Sequence, residues 1–284
     1  MPVAIVIGHE PAAYFTASWS GRADMDEMEL ANTLYRGKYG KPLELVKCET
    51  MDLEVPADAE MVIEGEMPPH VREAEGPFGE WQGYFSTAMG MNPIIQVKAI
   101  TMRRDAIFKT LLNFQREGNL IVQFNMSARI LGRLREIVGG ANIRTVHVSG
   151  DLCMIILQMN QQFRGDANFA LMSALTGPYL HNKIAVAVDD DVDIYSPADV
   201  MWAISTRVNP QKDVFIISNV RWHTYDQTFL EIGEPGKPNW QAVGSKMGID
   251  TTKPSIMNDA EQRLKFERTR PVGYGKVFLK DFLD

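Results

Sequence analysis

Two carboxylates, Glu75 and Glu80, flank the four-residue bend Gly76-Pro77-Phe78-Gly79, and Trp81-Gln82-Gly83-Tyr84 follows directly. Both glycines reach backbone angles closed to bulkier residues and the proline fixes φ beside them, so the bend is a shaped loop. Two glycines and a proline within six residues exclude a helix, which would have brought the acids onto one face. Phe78 and Trp81 sit beside the carboxylates and can strip water from one of them. Desolvation raises a carboxyl pKa and makes a proton donor near neutral pH, while the other acid stays ionised. The spacing alone suits an ordinary surface turn with two solvated glutamates equally well.

The elements that must hold this loop follow from periodicity. Residues 3–7 form a short β-branched run closed by Gly8, which predicts a buried strand with a helix after it. In 24–34, Met25, Met28, Leu30, Ala31 and Leu34 recur at helical spacing, and Asp24, Asp26, Glu27 and Glu29 crowd the first turns, where negative charge suits the helix dipole. Strands are predicted at 43–48, 61–66 and 94–102. From about residue 119 helices and strands mix: Phe124, Ala128, Leu131, Leu134, Ile137 and Val138 predict one helical face stopped by Gly139-Gly140. A strand at 120–123, strands at 144–148 and 153–159, a helix at 166–175 and a strand at 184–188 complete a mixed α/β layer. Ser196-Pro197-Ala198-Asp199 is a helix start with a capping serine and proline in the first position. Between these lies the acidic turn Asp189-Asp190-Asp191, whose carboxylates suit caps on backbone amides or a metal. Beyond residue 210 regularity fades, and 222–245 is rich in Gly, Pro and Asn. The tail carries Val277, Phe278, Leu279 and Phe282, which predicts docking on its own or a neighbouring subunit.

Composition narrows the function classes. A chain of 284 residues with 45% hydrophobic content can bury a sizeable core in one or two domains. Its net charge of -7 is spread over short alternations without a basic stripe, which argues against nucleic acid and anionic membrane as partners. No apolar run reaches the ~18 residues of a membrane span and no basic region precedes the first strand, so the expected compartment is the cytoplasm. Cys48 and Cys153 each lie in an apolar stretch and are expected to be core residues, not a disulfide. In a cytoplasmic chain the sequon Asn125-Met126-Ser127 has no consequence. His70, His147, His181 and His223 have no second ligand at metal spacing and are expected to be structural or surface residues.

The string Glu75-Gly-Pro-Phe-Gly-Glu80 with Gly83-Tyr84 resembles the signature loop of the UbiD-like decarboxylases, which use prenylated FMN and include the ferulic acid decarboxylases. The resemblance extends in order through Leu45-Val46-Lys47-Cys48-Glu49-Thr50, Ile63-Glu64-Gly65, Val188-Asp189-Asp190-Asp191-Val192-Asp193, Trp202-Ala203-Ile204-Ser205-Thr206-Arg207 and Lys246-Met247-Gly248-Ile249-Asp250. It covers nearly the whole chain and corresponds to the later part of a family member. It implies an α+β chain: part of a split β-barrel flavin-binding domain over 1–115, a mixed α/β oligomerisation domain over 116–225, and an extended tail over 226–284. By its place in the motif Glu80 would be the proton donor. Glu75 would pair with an arginine in the part of the family this chain does not match, and Phe78 and Trp81 would wall the substrate pocket. Glu27, with Glu29 as the neighbouring alternative in register, would bind the cofactor through a divalent metal, manganese or magnesium, with potassium nearby.

The implied reaction removes CO2 from, or adds it to, an aromatic or α,β-unsaturated carboxylic acid. The implied assembly is a homo-oligomer together with a second UbiD-like subunit that carries the N-terminal half. A non-catalytic assembly or regulatory subunit of such a complex is the alternative, and direction of reaction is open.

Overall fold

Successive side chains of a strand point to opposite faces, and in the segment Met-Val-Ile-Glu-Gly-Glu at Met61–Glu66, the centre of the first sheet, Val62 and Glu64 fall on the buried one. The computed structural model describes residues 1–21, 24–85, 90–112, 116–137, 140–177, 179–222, 226–232, 241–271, 273 and 276–282. Its first part comprises β1 (Pro2–Ile7), α1 (Pro11–Ala17), α2 (Glu27–Tyr39), β2 (Leu45–Lys47), β3 (Glu54–Pro56), β4 (Met61–Glu66), β5 (Arg72–Glu75), β6 (Gly90–Pro93) and β7 (Gln96–Met102). β1, β4 and β7 make an antiparallel three-stranded sheet, and β2–β3 and β5–β6 are separate two-stranded ladders. No closed barrel forms among the described residues.

The two faces of the first sheet differ. On one, Val62 and Glu64 are buried. Glu64 accepts from the backbone amides of Glu49 (2.8 Å) and Thr50 (2.7 Å) and from the Thr50 hydroxyl (2.5 Å), so the turn after β2 is tied across that face. On the other, register aligns Ile5 with Ile63 and Ile100, and Ile7 with Met61 and Met102. That row is apolar, yet Ile100 is 56% and Met102 59% exposed.

α2 begins where Asp26 caps it, its carboxylate accepting from the amides of Met28 (2.8 Å) and Glu29 (3.4 Å). It ends on Gly40 at φ 68°, several residues beyond the predicted end at 34.

The second part comprises α3 (Arg116–Arg135), β8 (Ile143–Val148), β9 (Met154–Met159), α4 (Asp166–Leu175), β10 (Ile184–Val188), α5 (Pro197–Arg207), β11 (Val214–Arg221), β12 (Leu230–Ile232), β13 (Gln241–Asp250) and α6 (Ala260–Leu264). The sheet runs β11-β13-β10-β9-β8, with β12 also on β13. β10 is parallel to both its neighbours, while β8 and β11 pair antiparallel at the edges. Its sequence, Ile-Ala-Val-Ala-Val, is apolar without alternation because both faces are covered. Met126, Ile130 and Leu134 of α3 and Leu171 and Leu175 of α4 pack on one side with Leu157 and Ala185. Val200 and Ala203 of α5 pack on the other with Ile156, Val186 and Val188.

Three expectations fail here for physical reasons. The predicted strand at 120–123 lies inside α3, because a four-residue apolar run satisfies either element and the longer helical period decides. The buried face of α3 is Met126, Ile130 and Leu134; of the predicted face only Leu134 is fully buried, and Phe124 is exposed. Phe124, Ala128 and Leu131 instead line an open groove against β8 with His147 and Tyr195. Val138 and Gly139 lie outside the described residues. The region beyond 210 contains two long strands, β11 and β13. The glycines of β13 hid that strand: at Gly244 and Gly248 a side chain would overlap the rings of Trp222 and Phe215. Gly248→Ala should therefore destabilise the fold by about 1–3 kcal/mol through overpacking, read as a lower urea midpoint with unchanged slope. An unchanged midpoint would contradict this packing.

The acidic turn is filled by cations. Asp189, fully buried, pairs with Arg263 and accepts from the Lys253 amide. Asp191 receives both Arg207 nitrogens, at 3.1 and 2.7 Å, and Lys253 Nζ at 3.2 Å. Asp199 binds Arg268 at 2.7 Å, and the Trp202 ring lies between the guanidiniums of Arg207 (4.8 Å) and Arg268 (3.9 Å). Residues 251–268 are thereby fastened to the strand ends. Among the described residues no helix is long and apolar enough to cross a membrane.

Candidate active site

The glutamate loop leaves β5 at Glu75, which pairs in register with Gly90 of β6. Glu75 is exposed, and its Oε2 accepts from Asn92 Nδ2 at 2.5 Å. Gly76 at φ 96° turns the chain into a cis Gly76-Pro77 bond. Glu80, half-buried, opens a tight turn: its amide donates to the Tyr84 carbonyl (2.8 Å) and its carbonyl accepts from Gly83 (2.9 Å), with Gly83 at φ 86°. Gly79 bridges Phe85, closing the base of the turn.

This turn is seated on the second part of the chain. Trp81 packs against the core under α3 and α4 and meets the ring of His181 edge-on at 5.1 Å. Asn119 of α3 donates through Nδ2 to the Trp81 carbonyl (3.3 Å) and to the Gly150 carbonyl (2.7 Å). Gln82 Nε2 donates to Cys153 Sγ at 3.8 Å, and Gln227 Nε2 to the Phe85 carbonyl at 3.1 Å. Burial pushes the Cys153 thiol up to about 11, which marks it as a packed, unreactive cysteine. Both cysteines are free.

The two glutamates thus sit in different surroundings: Glu75 exposed on a strand end, Glu80 half-buried inside a fastened turn. The apolar neighbours split likewise. Trp81 is packed against the core, whereas Phe78 is exposed. Glu27 opens α2 on the surface, as does Glu29 within its first turn. Among the described residues no group of three His, Cys, Asp or Glu side chains could hold a metal ion. His181, expected to be structural or surface, stands beside Trp81. Asn119 was hidden by the misassigned strand; its signal is an amide on the buried face of an apolar helix.

Two protein-family models match the chain: the 3-octaprenyl-4-hydroxybenzoate carboxy-lyase Rift-related domain over residues 1–115, and the C-terminal domain of the same enzymes over 119–251. The chain belongs to the UbiD family. Among UbiD relatives, an anhydromevalonate phosphate decarboxylase of Methanothermobacter thermautotrophicus is 32% identical over 268 residues, 93% of this chain and 59% of its own length. A phenolic acid decarboxylase of Bacillus subtilis is 32% identical over 89% of this chain and 52% of its own. The UbiD-class enzyme HmfF of Pelotomaculum thermopropionicum, solved in complex with FMN, superposes with a TM-score of 0.84 at 34% identity, covering 99% of this chain and 59% of that one. An evolved dimeric form of HmfF, solved with prFMN, gives 0.79 at 32%, covering 99% and 57%. This UbiD chain therefore spans between half and three-fifths of the length of these relatives.

Proposed function

We propose that this chain is one part of a prenylated-FMN-dependent carboxy-lyase acting on an aromatic or α,β-unsaturated carboxylic acid, completed by a separate UbiD-like chain carrying the N-terminal half. The observation that carries the reading is the glutamate loop, which fastens a half-buried Glu80 to the core through Trp81 and leaves Glu75 in water. The uncovered apolar row Ile5–Ile63–Ile100 supports the partner, since a sheet face of that kind calls for covering strands.

The glutamate loop offers one contact suited to a flavin: Gln82 Oε1 is buried without a hydrogen-bond partner, an acceptor left beside the apolar Trp81. The residues present do not by themselves make a metal site, because among the described residues Glu27 belongs to no group of three such ligands. When bound, the flavin supplies the electron sink that takes up the pair left by departing CO2. Glu80 holds the proton for the carbon that loses its carboxylate, and in the reverse direction removes it. Glu75, at the strand end of the same loop, is the partner carboxylate of the pair. Trp81 excludes water from the reacting carbon.

The purified chain alone should show neither stoichiometric flavin absorbance nor turnover, and both should appear once a chain carrying the family's N-terminal half is added. Light scattering should show an assembly larger than the monomer. Stoichiometric flavin and turnover in the lone chain would sink the partner requirement. A full complex that turns over identically without intact Glu75 and Glu80 would favour the non-catalytic assembly role.

A further inference from the structure

The three residues that lead into β10, His181-Asn182-Lys183, are tied to its neighbours in the sheet. Asn182, 1% exposed, donates through Nδ2 to the Leu152 carbonyl (2.9 Å). The Lys183 amide donates to the Cys153 carbonyl (2.7 Å), and the Lys183 carbonyl accepts from the Met247 amide of β13 (2.9 Å). The segment therefore shares the rigidity of the strands around it.

From this base two arms reach the turn that carries Glu80. His181 meets the Trp81 ring edge-on at 5.1 Å. Lys183 Nζ donates to Asp226 Oδ2 (2.9 Å) and to the Thr228 hydroxyl (2.6 Å), while that hydroxyl and the Thr228 amide donate to Asp226 Oδ1 (2.8 and 2.9 Å). Cation, hydroxyl and amide thus lock residues 226–228 around a nearly buried carboxylate. The residue they bracket is Gln227, whose Nε2 donates to the Phe85 carbonyl at 3.1 Å. Phe85 bridges Gly79, and the Tyr84 carbonyl before it accepts from the Glu80 amide, so Phe85 belongs to the returning limb of the turn.

A turn closed by its own backbone bonds keeps its shape but can still tilt on its stem. One hold on the outgoing limb, at Trp81, and one on the returning limb, at Phe85, remove the tilt. We propose that Lys183 and Asp226 are positioning residues for Glu80, acting through Gln227 and the Phe85 carbonyl to fix the angle at which the carboxyl group meets the reacting carbon. A buried ion pair is a weak source of net stability, which suits a geometric use. The part played by Glu80 rests on the decarboxylase reading; the hold on its turn does not.

Hydrogen exchange of the full chain reads the hold directly, through the Glu80 and Gly83 amides that close the turn. Gln227→Leu, a change at an exposed residue, should speed exchange there several-fold while β9 exchanges as in the wild type. Lys183→Met should do the same, and Lys183→Arg, which keeps a donor for Asp226, should restore part of the protection. In the complete complex Gln227→Leu should lower kcat roughly tenfold to a hundredfold, the range for a misplaced catalytic group, with KM near its wild-type value. Because the effect runs through Glu80, the same change made on top of Glu80→Gln should cost almost nothing further, whereas a purely structural loss would multiply. Unchanged exchange at the turn in Gln227→Leu or Lys183→Met, an unchanged kcat, or a multiplied loss in the double variant overturns the positioning role. A complete wild-type complex that never decarboxylates ends the enzymatic reading instead, and the exchange rates still decide whether Lys183 and Asp226 hold the turn.

Discussion

Glu80→Gln should lower turnover of the complete complex by roughly 10²–10⁴, the loss expected when a general acid keeps its shape but not its proton. Folding should survive, because the turn is held by backbone bonds between Glu80, Gly83 and Tyr84 and by the Trp81 anchor, none of which needs the carboxyl group. Glu75→Gln should also slow the reaction, and should move its pH optimum, since that residue acts through the charge it presents to the site. If both glutamates were merely solvated, each change would stay within about ±0.5 kcal/mol of neutral and leave kcat untouched. Profiles of kcat against pH at matched flavin content decide: a wild-type rate for Glu80→Gln ends its assignment as the acid, whatever the family.

The largest effect on stability is expected at Asp191. Arg207 and Lys253 converge on it in a nearly dry setting, and Asp191→Ala would leave both cations buried without their anion. Breaking a buried pair in this way costs about 3–5 kcal/mol, so urea unfolding should show much of the protein's stability lost. Burial alone would raise the Asp191 carboxyl, but Arg207 and Lys253 hold it below its ordinary 3.8. A depressed carboxyl stabilises the fold above that value, and the contribution is lost as pH falls through the still lower folded value. Asp250 behaves oppositely: burial pushes it up to about 6, so its neutral form suits the fold and stability grows as pH falls from about 6 toward 4. Asp250→Asn should remove that rise while leaving the acid loss below pH ~3.8. A wild-type stability that is flat across both windows would refute the two assignments.

What could be inferred without coordinates depended on how local the cause is. β4, α4, β10 and α5 fall at their expected positions because period, cap or continuous burial is written within a few neighbouring residues; Ser196-Pro197 alone fixes the start of α5. The glutamate loop was visible for the same reason, its chemistry lying in ten consecutive residues. The phase of α3 was not, because Met126, Ile130 and Leu134 become the inner face only once α4 and the sheet lie beneath them. β13 was missed because its glycines answer to Phe215 and Trp222, aromatic rings on the facing strand β11 or just beyond it. The acidic turn announced itself, but Lys253 and Arg263, which neutralise it, stand more than sixty positions away in sequence.

The uncovered row of Ile5, Ile63 and Ile100 with Ile7, Met61 and Met102 also governs how the isolated chain should be handled. Association through hydrocarbon carries a large heat-capacity signature and weakens in the cold, whereas association through charge does not share that signature. Chains kept near freezing in low salt should therefore stay apart, and should cluster on warming or on addition of sulfate, which is excluded from protein surfaces. Lys98, paired with Glu66 on the outer strand β7, puts charge at the border of this row, so strand-to-strand stacking into fibres is disfavoured and the clusters should redissolve on cooling.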